Sequence, residues 1–289
     1  MTKQLAEYSE DLFGPLDLLA TRVVSYDDTP WEPSDLVVRR MIEERWIAME
    51  EANRRKGGEL IDGPNVRANS MFRNSQGVLE LSLQRSTYKK YATTRDDPNI
   101  PQDQKGQALY VASFIRTASG SLVFGLNEST EFQHKGMLNI SAGGVEPADL
   151  LVHCCDTPGG ITLDGLDALP SDRILDYALG REMHEELGVR GFHIKYREPK
   201  YVMRERIATH PTVLSYSQLV VGDNELMFIH KKHVDEIKRA GGKPEFAALE
   251  FIPAEISSVK DSLENFPEKY APRVQLILQH ELNNRQFIR

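Results

Sequence analysis

The chain has 289 residues, 40% hydrophobic and 27% charged, a composition that supports a buried core and fits one large domain or two modest ones. Its net charge of -8 and pI near 5.6 exclude a general polyanion-binding surface, so nucleic acid is not an expected partner, although a local basic pocket for phosphates is compatible with both values. The start MTKQLAEYSEDLFG lacks the basic residues and apolar run of a secretory leader, and no stretch reaches the ~18 uninterrupted apolar residues of a membrane helix. The two cysteines, Cys154 and Cys155, are adjacent and read as reduced thiols. The expected location is the cytoplasm, without a membrane partner.

The run PSDLVVRRMIEERWIAMEEANRRKGG predicts an amphipathic helix. Ser34 caps it after Pro33, and Val38, Met41, Ile42, Trp46 and Met49 recur at helical spacing before Gly57 and Gly58 stop it. Alternation of Val78, Leu79, Leu81 and Leu83 with polar residues predicts a small β element over residues 66–95. RDDPNIPQDQKGQ, 95–107, has no periodicity and reads as a linker. ALYVASFIRT and SLVFGLN around ASG predict a hairpin, and MLNISAGGVE a strand entering a glycine turn. Residues 150–170 read as a loop from their Pro and Gly content, and Ser171 starts a helix that Gly188 ends. GFHIKYREPKYVMR and TVLSYSQLVVGD predict strands. LMFIHKKHVDEIKRAGG reads as strand then helix, as does ALEFIPAEISSVKDSLEN, and EKYAPRVQLILQHELNN is the last helix. No internal repeat is present.

The helix ending LGREMHEELGV concentrates Glu182, Glu185 and Glu186 on one face, spaced three and four residues apart. Arg181 is placed to pair with Glu185 four residues on, but one arginine does not neutralise three acids. A hard divalent cation does, because Mg²⁺ and Mn²⁺ prefer carboxylate oxygens.

This stretch resembles the second half of the Nudix box, which runs Arg-Glu-apolar-any-Glu-Glu-any-Gly-apolar and is matched here from Arg181 to Val189. Upstream, SAGGVEPAD resembles the opening of the box, with Gly143 and Gly144 in the turn and Asp149 at the place of the first glutamate. Between Asp149 and Arg181 stand 31 residues where the box has seven, so about 24 are inserted; loop closure cost grows only logarithmically with length and tolerates this. Either Asp149 or Asp172 takes the part of the first acid.

By this resemblance the fold class is α+β, a Nudix α/β/α sandwich with a mixed sheet plus an N-terminal helix and small β extension. Residues 1–105 form that extension, a pocket cover or dimerisation element, the Trp46-bearing helix suiting a homodimer. Residues 106–289 form the Nudix domain with the inserted loop 150–170 and C-terminal helices. The resemblance implies a Mg²⁺- or Mn²⁺-dependent hydrolase cleaving the diphosphate of a nucleoside diphosphate linked to a moiety X, such as a nucleotide sugar or an ADP-ribose-like compound. Glu182, Glu185 and Glu186 would hold the metal with the Gly143 carbonyl, and Arg181 would brace the acids. Candidate general bases are Glu245, Glu250, Asp223 and Glu225, of which Glu245 is preferred. His184 is read as a surface or packing residue.

Of the basic and aromatic cluster around Tyr88, Lys90 and Tyr91, residues Arg85, Lys89 and Arg95 are candidate phosphate-gripping groups, against the alternative of a lysine-coated β edge. HCCD, 153–156, lacks the spacing with which two cysteines chelate one Zn²⁺. The alternative function is a nucleotide-binding sensor or scaffold of weak activity. The isomerase branch of the fold is set aside because MLNISAGG has no cysteine before its glycine turn, and residues 204–207, RERI, carry no substrate-class marker.

Overall fold

A computed structural model describes residues 21–55, 57–75, 79–127, 136–151, 171–204, 210–284 and 288. It opens with β1 (Thr21–Asp27), α1 (Leu36–Arg55), β2 (Pro64–Arg73), β3 (Leu79–Thr87) and α2 (Tyr88–Thr94). The second part runs β4 (Tyr110–Arg116), β5 (Ser121–Asn127), β6 (Leu138–Asn139), β7 (Ser141–Gly144), α3 (Pro147–Leu151), α4 (Ser171–Leu187), β8 (Ile194–Arg204), β9 (Pro211–Leu219), α5 (Asp223–Arg239), β10 (Phe246–Pro253), α6 (Ile256–Asn265) and α7 (Pro272–Asn284).

The large sheet is mixed, in the order β10-β5-β4-β9-β8, with β4 and β9 parallel. After the β4–β5 turn, where Gly120 takes a φ of 89°, the two strands hold register only at Ile115 and Arg116. Beyond that β7 pairs with β4, and β6 with β5. Helices cover both faces. Phe114, Phe124, Tyr216 and Leu214 pack against Val259, Val274 and Ile277 of α6 and α7. On the opposite face Val111 and Val213 meet Leu175 and Leu179 of α4, while Met183 and Leu187 continue the contact beside Leu226 of α5. This is the α/β/α sandwich of the α+β class.

The N-terminal strands form a three-stranded sheet, β1-β3-β2, with β1 parallel to β3. Its apolar face, Val23, Val66, Leu81 and Leu83, shares one core with α4, and the Val66 amide bonds the Val145 carbonyl at 2.9 Å. Trp46 is 5% exposed and meets Tyr88 edge-on, so it faces inward. Among the described residues no helix is long and apolar enough to cross a membrane.

Four local expectations are corrected. Asp35, not Ser34, caps α1: its carboxylate accepts from the Val37 amide at 2.7 Å, while Ser34 Oγ accepts from Gln104. Residues 88–94 are helical rather than extended, because the β2 partner of β3 ends at Pro64 and the ladder has no continuation. Thr93 and Thr94 turn their hydroxyls back to the carbonyls of Lys89 and Lys90 within that turn. Residues 95–107 are a packed connector rather than a loose linker: Ile100 joins Val38 and Ile42, and Lys105 is 2% exposed. LMFIH is helical from its start, since Leu226, His230 and Val234 bury one stripe of α5 at intervals of four. Strand β1 has no counterpart in the sequence reading.

Candidate active site

Helix α4 presents the acids because its apolar residues Leu175, Leu179, Met183 and Leu187 fix its rotation against the sheet. That rotation turns Glu182 and Glu186 inward, at 7% and 4% exposure, and leaves Glu185 in solvent. Gly188, with φ 74°, ends the helix.

Arg181 is the brace of the site. It grips Asp149 in a two-pronged pair at 2.9 and 3.0 Å, donates to the Gly144 carbonyl at 2.8 Å, and reaches Glu182 at 2.8 Å and Glu185 at 3.0 Å. Asp149, 1% exposed, also accepts from the Glu146 amide and is thereby held in the short helix α3 that follows β7. It is the acid joined to the box arginine across the insertion; the side chain of Asp172 lies outside the described residues.

Glu182 lies flat on the backbone of β7. A Cβ placed on Gly143 would fall 2.0 Å from the Glu182 carboxyl carbon, so only glycine admits the approach. Burial, opposed by Arg181 and reinforced by the charges of Glu185 and Glu245, pushes the Glu182 carboxyl up to about 7. Glu186 is raised well above the carboxylate range by burial and then by Glu245, although it accepts from the Ala142 amide at 3.1 Å. Glu245 stands exposed just before β10 and acts on both.

The other base candidates lie elsewhere. Asp223 accepts from Thr117 and Ser121 at the β4–β5 turn, and Glu250 pairs with Lys269. Glu225 sits in the first turn of α5. His184 is exposed, its ring 5.5 Å from that of His233.

The three candidate phosphate-gripping residues separate. Lys89 pairs with Glu43 at 2.6 Å, and Arg85 is exposed on β3. Arg95 alone turns toward the large sheet, donating to the Tyr91 hydroxyl at 3.3 Å and lying over the Tyr91 ring. Tyr91 in turn packs on Tyr110 and His210, two residues with no local motif to reveal them. HCCD lies outside the described residues.

Among the described residues no three acidic, His or Cys side chains already stand as a cation cage. Glu182 is drawn onto Arg181 and Glu186 onto the Ala142 amide. The donor set nevertheless fits Mg²⁺ or Mn²⁺: it is hard oxygen throughout, two of its carboxylates are buried with raised proton affinity, and Arg181 is already shared among other acids.

No family model matches the chain, and no curated protein matches it in sequence. Solved structures similar to it include a protein of Deinococcus radiodurans, 12% identical over 64% of this chain and 88% of that one, at a TM-score of 0.38. A Nudix hydrolase of Alicyclobacillus acidocaldarius is 9% identical over 61% of this chain and 91% of its own, at 0.38. The pyrophosphohydrolase of Bacillus subtilis is 12% identical over 76% and 99%, at 0.33. The chain itself shows a mixed sheet between helices, with the two stretches that resemble the halves of the box carried by β7, α3 and α4 and joined by the contact of Arg181 with Asp149.

Proposed function

We propose that the chain is a Mg²⁺- or Mn²⁺-dependent Nudix hydrolase that cleaves the diphosphate of a nucleoside diphosphate linked to a moiety X. The observation that carries this reading is that Glu182 and Glu186, buried on α4, meet the charge of Glu245 from just before β10, so that burial and that charge oppose ionisation of the two buried acids. Such a cluster is costly unless positive charge arrives with a ligand.

Glu182, Glu185, Glu186 and the Gly143 carbonyl would hold the metal. When bound it would supply charge that neutralises the diphosphate oxygens and acidifies a water. Arg181 keeps Glu182 and Glu185 oriented while its other edge holds Asp149, so the two halves of the box stay together across the insertion. Glu245 is the general base: exposed enough to meet a water, it takes the proton through its carboxylate as the water oxygen bonds to phosphorus and the bridging P–O bond breaks. A nucleoside monophosphate and phosphorylated X result.

The homodimer belongs to the same proposal. The outward apolar residues of α1, Leu36, Val37 and Ile47, are 74%, 75% and 54% exposed and would form its contacts; sedimentation as a monomer would remove this part.

The test is turnover of nucleotide sugars, ADP-ribose, dinucleoside polyphosphates and nucleoside triphosphates with Mg²⁺ or Mn²⁺, beside Glu186→Gln. Cleavage abolished by the variant and by EDTA supports the hydrolase. Folded, metal-loaded protein that binds a nucleotide and cleaves none of the panel would support the sensor instead.

A further inference from the structure

The two glycines of β7 face opposite ways. Gly143 pairs with Val111, and the space where its side chain would stand is taken by the Glu182 carboxylate. Gly144 pairs with Tyr110, so its missing side chain lies on the other face of the sheet, beside the Tyr110 ring. There a Cβ would meet nothing within 4 Å.

Tyr110 borders this open space together with His210, the rings 4.9 Å apart, and Tyr91 closes on both. Two guanidinium groups flank them. Arg95 comes from the end of α2 and bonds the Tyr91 hydroxyl. Arg273 comes from the first turn of α7 and donates from Nε to Asn139 at 3.1 Å; among the described residues no carboxylate pairs with it. Asp96 acts on His210 by its charge, but it is 62% exposed and pairs with Arg95 at 3.2 Å. His210, 4% exposed, is held neutral, its imidazole pushed down to about 3 by burial and by Arg95 and Arg273. A buried neutral ring between two arginines is therefore a surface of positive potential with aromatic walls, a chemistry suited to a phosphoryl group attached to a ring.

The edge of β7 connects this face to the acids. β7 pairs with β4 alone, and the Ala142 amide on its unpaired side already reaches Glu186. A ligand lying across Gly144 thus stands one strand's width from the acid cluster, on the far side of the same backbone.

We infer that the open space at Gly144, walled by Tyr91, Tyr110 and His210 and flanked by Arg95 and Arg273, is the subsite that grips the nonreacting nucleoside phosphate of the substrate. This rests on the proposed hydrolase reading for the word substrate, but phosphate recognition at Gly144 is measurable without turnover.

The experiment is calorimetric titration of the full chain in EDTA with the four nucleoside 5′-monophosphates and the matching nucleosides, for the wild type and for Gly144→Val, Arg95→Gln and Arg273→Gln. At least one monophosphate should bind roughly tenfold or more tightly than its nucleoside, the margin expected of charge-assisted bonds, and each arginine variant should lose about that margin. Gly144→Val should abolish binding while its melting temperature stays at that of the wild type, because the strand accepts a side chain there; Gly144→Ala gives an intermediate step if valine lowers stability. Equal binding of phosphate and nucleoside, no binding of either, or binding untouched by every Gly144 and arginine variant would overturn the subsite. Monophosphate binding of the expected pattern in a chain that cleaves nothing with Mg²⁺ or Mn²⁺ would leave the subsite standing and remove the hydrolase. Hydrolysis with KM unmoved by Gly144→Val would do the reverse.

Discussion

The α1–α2 region and the end of α4 are both crowded with charge, and they differ in how each charge is answered. Around α2, Lys89 meets Glu43 at 2.6 Å, Lys90 meets Glu32 at 2.6 Å and Arg45 meets Asp97 at 2.5 Å. Each of these cations has its own acid, and the set holds α1 and the segment before it against α2 and the connector that follows. At α4, Arg181 is shared among Asp149, Glu182 and Glu185, while Glu186 and Glu245 press their charges on one another. Matched charges describe a surface that is finished by the fold alone. Buried acids crowded around one shared arginine describe a place that a ligand completes, because a fold gains nothing from holding them dry.

The contrast breaks most visibly at Glu186. Glu186→Gln should fold and lower kcat/KM by about 10³-fold, within the range for loss of an acid–base or metal-holding group. Steady-state turnover reads this, and a variant as fast as the wild type would put Glu186 with the surface charges. Asp149→Ala comes next. It leaves Arg181 with Glu182, Glu185 and the Gly144 carbonyl but removes its two-pronged buried partner, and the loss of those charge-assisted bonds, about 1.5 to 3 kcal/mol, should appear in urea unfolding.

The third test is the response to pH without metal. Glu182 sits at about 7 in the folded chain against an ordinary 4.5, so it binds its proton more tightly folded than unfolded. Its stabilising contribution is complete below 4.5 and is lost as pH rises through 7, by at most about 3 kcal/mol. Glu182→Gln should flatten that decline between pH 5 and 8 in thermal unfolding (about the span in which the group titrates); an unchanged slope would show that the carboxylate ionises freely. The smallest effect belongs to the matched region. Lys89→Ala loses a pair with a largely exposed partner, which is worth roughly 1 kcal/mol or less, and should leave KM unchanged. A raised KM would return Lys89 to the substrate.

The box helix, the hairpin before it and the helices that close the chain were legible because each repeats its apolar residues at its own period over a continuous stretch. The helix that replaces the expected strand at residues 88–94 was not. Its residues are β-compatible, and only the end of the β2 partner at Pro64 forbids a longer ladder. Residues 95–107 lack periodicity, yet they are fixed by single contacts, such as Gly106, whose Cβ would fall 2.6 Å from the Lys90 carbonyl carbon.

For the site, the sequence by itself determined the residue types and their order: an arginine with three acids on a helix, and two glycines before it. Helical spacing alone puts those acids on one face. Tertiary structure decided which of them are buried, that Asp149 meets Arg181, and that Glu245 acts on the cluster from the bend before β10. It also decided that Tyr110, His210, Arg95 and Arg273 gather beside Gly144. The physical reason is range: periodicity and turn chemistry act over a few neighbouring residues, whereas burial and charge coupling depend on residues brought together from distant parts of the chain.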